Sequence, residues 1–173
     1  MSVGNVVYGN NYFPRTKDER VIWRKLAQGD HLLLLAPRRV GKSSLIHHLK
    51  DNPKEGYALI YSYVQDCIDE QEFYRKLLKS ITQSEFVTNT ASVSTKVKGW
   101  FSKLDIDLSV EAFGVKVAAD KKNTDEPCVI NTDIIRQILM DSLSDTEITL
   151  IIAIDEFPDV LINIYKQHGE MAA

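Results

Sequence analysis

The stretch from His31 to Leu49 constrains the fold of this chain more than any other. His31-Leu32-Leu33-Leu34-Leu35 is a continuous apolar run without alternation, the pattern of a strand covered on both faces of a parallel sheet. It runs into Ala36-Pro37-Arg38-Arg39-Val40-Gly41, where proline and glycine break regular structure. A segment follows in which Leu45, Ile46 and Leu49 share one helical face. A second strand is expected at 57–62, Tyr-Ala-Leu-Ile-Tyr-Ser. Strand, loop, helix and strand in this order form a βαβ unit, which implies an α/β architecture with 31–35 as a central strand.

The remaining segments fit the same class. Residues 16–28 read as a helix, opened by a capping pair of Thr16 and Glu19 and ended by Gly29. Asp69 and Glu72 open a further helix with Phe73, Leu77 and Ile81 at successive i,i+4 positions. Residues 82–98 are polar and Ser/Thr-rich and read as a loop or weak helix. From Leu104 the period changes to two. Leu104, Ile106, Leu108 and Val110, then Val115 and Val117 beyond a turn at Phe113-Gly114, suggest a β-hairpin, placed as an insert over 99–120. Asp120 to Pro127 reads as a surface connection. Ile134, Ile135, Ile138 and Leu139 mark a helix leading to the strand Thr149-Leu-Ile-Ile-Ala-Ile154, with Asp155-Glu156 at its carboxyl end.

Ala36-Pro37-Arg38-Arg39-Val40-Gly41-Lys42-Ser43 matches the phosphate-loop pattern G-x-x-x-x-G-K-[ST] except that Ala36 replaces the first glycine. Such a loop turns backbone N–H groups around a polyanion, sets a cation on the β/γ-phosphates, offers a hydroxyl to Mg²⁺, and begins a helix whose positive end faces the phosphates. Gly41, Lys42, Ser43 and the helix after them fill those roles, with Ser44 completing the binding stretch. Alanine is small, and the first position does not demand a positive φ, so the pattern survives the substitution. The side chains of Arg38 and Arg39 read as solvated while their backbone joins the cradle. His47 and His48 are adjacent on a helix and point about 100° apart, which disfavours a shared metal. A triphosphate also needs a carboxylate for its metal ion at the carboxyl edge of the sheet; Asp155 stands at such a place, and Glu156 beside it is the candidate base for the attacking water.

With these residues the sequence resembles the AAA+-related ATPases of the signal-transduction type, the STAND or archaeal-type ATPases. The resemblance rests on Tyr12-Phe13-Pro14-Arg15 with Glu19, on the 36–44 loop, and on Ile154-Asp155-Glu156-Phe157-Pro158. It implies a three-layer P-loop NTPase fold with a mostly parallel sheet and ATP with Mg²⁺ as ligands. Tyr12 and Phe13 would lie near the adenine, and the protein would act as an ATP-driven switch. The absence of an [NT]-K-x-D guanine-reading motif after the loop agrees with ATP. Members of the family continue through two more core strands, a sensor, a basic residue and a helical lid, and those two strands flank the phosphate-loop strand on either side. The chain reaches only Ala173, which implies that Leu32 to Leu35 lack both neighbours and that the chain is either the N-terminal fragment of a longer ATPase or depends on a partner or self-association to complete the sheet.

Composition narrows the partners. A length of 173 residues with 44% hydrophobic content suits one domain. A net charge of -3 provides no general field for nucleic acid, and Asp105, Asp107 and Glu111 in the expected hairpin would repel phosphates. No apolar run approaches membrane-spanning length and the first ten residues lack signal-peptide character, so a cytoplasmic protein is expected. Cys67 and Cys128 have neither disulfide nor metal-ligand spacing. Two functional classes remain: an ATPase that needs further segments or a partner for efficient hydrolysis, and a nucleotide-binding interaction module without turnover.

Overall fold

The computed structural model describes residues 9, 12–37, 39–104 and 130–168. Among these it is a mixed α/β structure of seven helices and a two-stranded parallel sheet. The helices are α1 (Thr16–Ala27), α2 (Lys42–Asp51), α3 (Glu70–Thr82), α4 (Glu85–Asn89), α5 (Ala91–Leu104), α6 (Thr132–Leu143) and α7 (Phe157–His168). The strands are β1 (Tyr57–Tyr63) and β2 (Thr149–Asp155), in register from Tyr57 opposite Thr149 to Tyr63 opposite Asp155.

Strand parity sorts the side chains between two cores. On one face, Leu59, Ile151 and Ala153 meet Ile22 and Trp23 of α1 and Leu45, Ile46 and Leu49 of α2. On the other, Ile60, Leu150 and Ile152 meet Leu77, Leu78 and Ile81 of α3, together with residues of α4, α5 and α6. Helices therefore cover both faces of the strand pair, which is why β2 reads as an unbroken apolar run. Where β2 ends, Val64 and Cys67 pack with Val160 of α7.

The helix starts at 69 and 131 follow local chemistry. Asp69 accepts the Glu72 N–H at 2.7 Å while Glu72 reaches back to the Ile68 N–H at 2.9 Å, a reciprocal cap. Asn131 accepts the Ile134 N–H at 3.0 Å and opens α6. The opening of α1 differs from expectation. Arg15, not Thr16, is the N-cap residue and makes no side-chain cap; Glu19 instead accepts the Arg15 N–H at 3.0 Å, so only the returning half of a capping box forms.

Two other expectations change, and of the two readings of 82–98, loop or weak helix, the helical one holds. Residues 31–35 form no strand: Leu33 and Leu35 are exposed, and Leu34 alone of the four leucines packs into the α1–α2 core. A strand exists through its ladder partners, and among the described residues β2 pairs with β1 and nothing pairs with 31–35, so the predicted central strand and its βαβ unit do not form. Residues 82–98 are largely helical, because Val87, Val93 and Val97 are buried anchors at helical spacing within the polar sequence. Helix α5 continues through 99–104, the start of the expected hairpin insert; the remainder of that insert, 105–120, lies outside the described residues, as does Cys128. Cys67 is a free thiol, buried, with burial pushing its pKa up.

Candidate functional site

The loop before α2 is shaped by its backbone. Arg39 has φ 66° and Gly41 φ 82°, both left-handed, so the chain curls twice within three residues before entering the helix. A Cβ at Gly41 would meet nothing within 4 Å, so glycine is needed there for its torsion and not for room. Gly41 is the N-cap of α2 and makes no side-chain cap, its carbonyl taking the Leu45 N–H at 3.0 Å. The first N–H groups of any α-helix lack intrahelical acceptors and carry its positive end, which here belongs to Lys42, Ser43 and Ser44. Ala36, Pro37, Arg39 and Val40 are exposed, Lys42 and Ser43 half-buried and Ser44 buried; Arg38 lies outside the described residues.

The decisive contact joins this loop to the end of β2. Ser43 Oγ donates to Asp155 Oδ2 at 2.5 Å across a sequence separation of 112 residues. Asp155 is buried, 5% exposed, and a buried carboxylate is costly unless its lone pairs are engaged. It is engaged threefold: Tyr61 Oη also donates to Oδ2, at 2.9 Å, and the Glu156 N–H donates to Oδ1 at 3.2 Å. A serine hydroxyl has one hydrogen and two lone pairs, so a Ser43 that gives its hydrogen to Asp155 keeps its acceptor side for a cation.

Glu156 is half-buried and left-handed, with φ 60°, which ends β2 abruptly and turns the chain into α7, where the Asp159 N–H donates to the Glu156 carbonyl at 3.1 Å. The carboxylates there act together on their surroundings: burial raises the Tyr63 hydroxyl pKa, and Asp66, Glu156, Asp155 and Asp159 add to it. An ion of positive charge suits such a rim. Ser43 and Asp155 supply only oxygen, the hard donors that magnesium takes alongside water and phosphate oxygens. Among the described residues no three of His, Cys, Asp and Glu gather into a metal site of their own.

The segment before α1 reaches the same loop. Arg15 Nη1 donates to the Val40 carbonyl at 3.2 Å. Tyr12 stacks on His48 of α2, ring centroids 4.2 Å apart and planes at 16°, and its hydroxyl donates to Glu19 at 3.0 Å. Burial, followed by that hydrogen bond and the Glu19 charge, pushes the Tyr12 pKa up to about 12. Phe13 is 85% exposed. Tyr12 is thus built into the face of α2, while Phe13 projects away from the protein. His47 and His48 turn to different partners, His47 to Tyr61 and His48 to Tyr12. Burial lowers the His47 pKa, and the nearby Lys50 charge lowers it further.

Comparison with protein-family models, curated proteins and solved structures finds no match. The functional reading therefore stands on this geometry. Ser43 and Asp155, expected to share a metal, are brought together; Arg15 ties the Tyr12 segment to the loop. Tyr61 was not expected at the site. Its place two residues before the end of an apolar strand gave the available signal, since a tyrosine there can pack its ring and send its hydroxyl towards the strand ends.

Proposed function

We propose that this chain is the phosphate-binding part of an ATP-binding P-loop ATPase domain of the switch type. By its resemblance to STAND and archaeal-type ATPases, the fold would be the three-layer kind with a mostly parallel sheet. The Ser43–Asp155 hydrogen bond carries the reading, because it joins the two motifs that such a site requires at one point. No helix among the described residues is long and apolar enough to cross a membrane; a cytoplasmic location with ATP and a protein partner or second copy fits the proposal.

In this reading the Lys42 ammonium and the first N–H groups of α2 take up negative charge on the β- and γ-phosphates. Ser43 and Asp155 would hold magnesium, which when bound neutralises charge on the phosphate oxygens. Glu156 accepts the proton of a water whose oxygen bonds to the γ-phosphorus as the bond to the bridging oxygen breaks, releasing ADP and phosphate. Three of the four lone pairs of Asp155 are engaged by Ser43, Tyr61 and the backbone, which leaves one for the ion and the proton of the water to Glu156. A basic group for the transition-state charge would come from another segment or subunit, so turnover by this chain alone is slow.

Calorimetric titration of ATP with Mg²⁺ tests the reading. The wild-type chain binds and Lys42→Ala loses binding by at least tenfold; equal binding by the two removes the phosphate-loop assignment. Glu156→Gln retains bound ATP while hydrolysis falls by about 10²-fold or more, in line with loss of a general base. If hydrolysis is absent from wild type and unaffected by added partner, the chain is an interaction module that uses ATP only to select a conformation.

A further inference from the structure

Tyr61 lies outside both sequence motifs, yet it holds the carboxylate on which the site turns. The register sets Tyr61 opposite Ala153, both on the sheet face towards α2, and Asp155 two residues beyond Ala153 on the same strand, where Ser43 of α2 reaches it. From there Tyr61 Oη donates to Asp155 Oδ2 at 2.9 Å, the oxygen that also takes the Ser43 hydrogen. The phenol is not left to rotate. His47 of α2 packs against it with ring centroids 4.1 Å apart and planes at 45°.

We propose that Tyr61 is a positioning residue for the metal–nucleotide complex, setting Asp155 so that Ser43 keeps its acceptor side towards the ion. The proposal rests on the ATP reading above and adds to it a group that neither motif contains. Three donors from three places, α2, β1 and the backbone after β2, fix the carboxylate in one orientation. Remove the Tyr61 hydroxyl and Oδ2 keeps only Ser43. Asp155 can then turn about its side-chain bonds, and the serine hydrogen loses a fixed acceptor. The packing role of Tyr61 belongs to its ring and the positioning role to its oxygen, so Tyr61→Phe separates them.

The test uses the whole chain and two readouts: ATP binding in EDTA, and the Mg²⁺ concentration that gives half of the metal-dependent gain in ATP affinity. Tyr61→Phe is expected to bind ATP in EDTA as wild type does, while its Mg²⁺ midpoint rises about three- to tenfold, less than the full loss of a hydrogen bond to a charged group because Ser43 and the Glu156 N–H still hold the carboxylate. His47→Ala, which frees the ring, moves the midpoint the same way by less and adds nothing on top of Tyr61→Phe. An unchanged Mg²⁺ midpoint in Tyr61→Phe overturns the proposal and leaves the ATP reading standing. A parallel loss in EDTA and in Mg²⁺ with a lowered melting temperature also overturns it, since the hydroxyl would then serve only the fold. A wild-type chain that binds ATP under neither condition overturns the ATP reading and this proposal together.

Discussion

At the scale of single residues, the site holds backbone strain at the positions where chemistry is proposed. Arg39 and Glu156 are the two non-glycine residues with left-handed φ among those described, one in the loop and one beside Asp155. A left-handed L-residue costs about 1–2 kcal/mol relative to glycine, partly offset by the greater freedom of glycine in the unfolded chain, about 0.4–1 kcal/mol. Glu156→Gly should therefore stabilise the protein by about 0.5–1 kcal/mol while abolishing the base. Glu156→Ala keeps the left-handed backbone penalty and should give no such gain. Urea titration with a common m-value measures both, and equal midpoints for the two variants would show that the φ at 156 costs no more than the about 0.4–1 kcal/mol that the freedom of glycine in the unfolded chain takes back. That Ser43 and Asp155 meet was legible in the sequence because each stands in a pattern whose proposed chemistry calls for its residue type. Tyr61 was not, because a tyrosine in an apolar strand reads as core until register reveals which carboxylate it faces.

Helices and strands divide along the same line between local and long-range causes. Helix α3 was readable because Asp69 and Glu72 announce its start and Leu77 and Ile81 its buried face, all within one short stretch. The capping signal at 16–19 was misread for want of one geometric fact: Thr16 lies inside α1 and Arg15 precedes it. The two starts make opposite predictions. Asp69→Ala should cost about 1 kcal/mol, the usual loss for an aspartate N-cap, and Asp69→Asn far less. Thr16→Ala should be neutral or slightly stabilising, since alanine is the better helix former at an exposed position. Denaturation midpoints of the three variants decide it, and a loss at Thr16 equal to that at Asp69 would restore the capping role expected from sequence. The valines of α4 and α5 were hidden by a different effect: serine and threonine are frequent there, while Val87, Val93 and Val97 are the buried residues among those described, with Phe86 and Trp100 packed beside them.

The molecule as a whole is shaped by what 31–35 does. Local sequence cannot distinguish a strand from an extended apolar segment, because the difference is the presence of neighbours, and neighbours are contributed from elsewhere in the fold. The result is a segment in which Leu33 is 76% and Leu35 81% exposed, with Leu32 and Val40 also partly open to water. Another exposed apolar group, Leu161, Ile162 and Tyr165, lies on α7, but a helix has satisfied most of its own backbone. Residues 31–35 combine exposed leucine with backbone that no ladder occupies among the described residues, which is the stronger template for association. The chain should therefore self-associate as concentration rises. Sedimentation velocity over a concentration series should show a rising mean mass, and the double variant Leu33→Lys with Leu35→Lys should suppress it. Because both side chains are already in water, the lysines should leave the melting temperature within about 2 °C of wild type, a shift of roughly 0.5 kcal/mol or less for a protein of this size. A wild-type chain of constant monomer mass at every concentration would mean that these leucines are covered within a single copy. A double variant that associates as strongly as wild type would move the contact to the exposed face of α7.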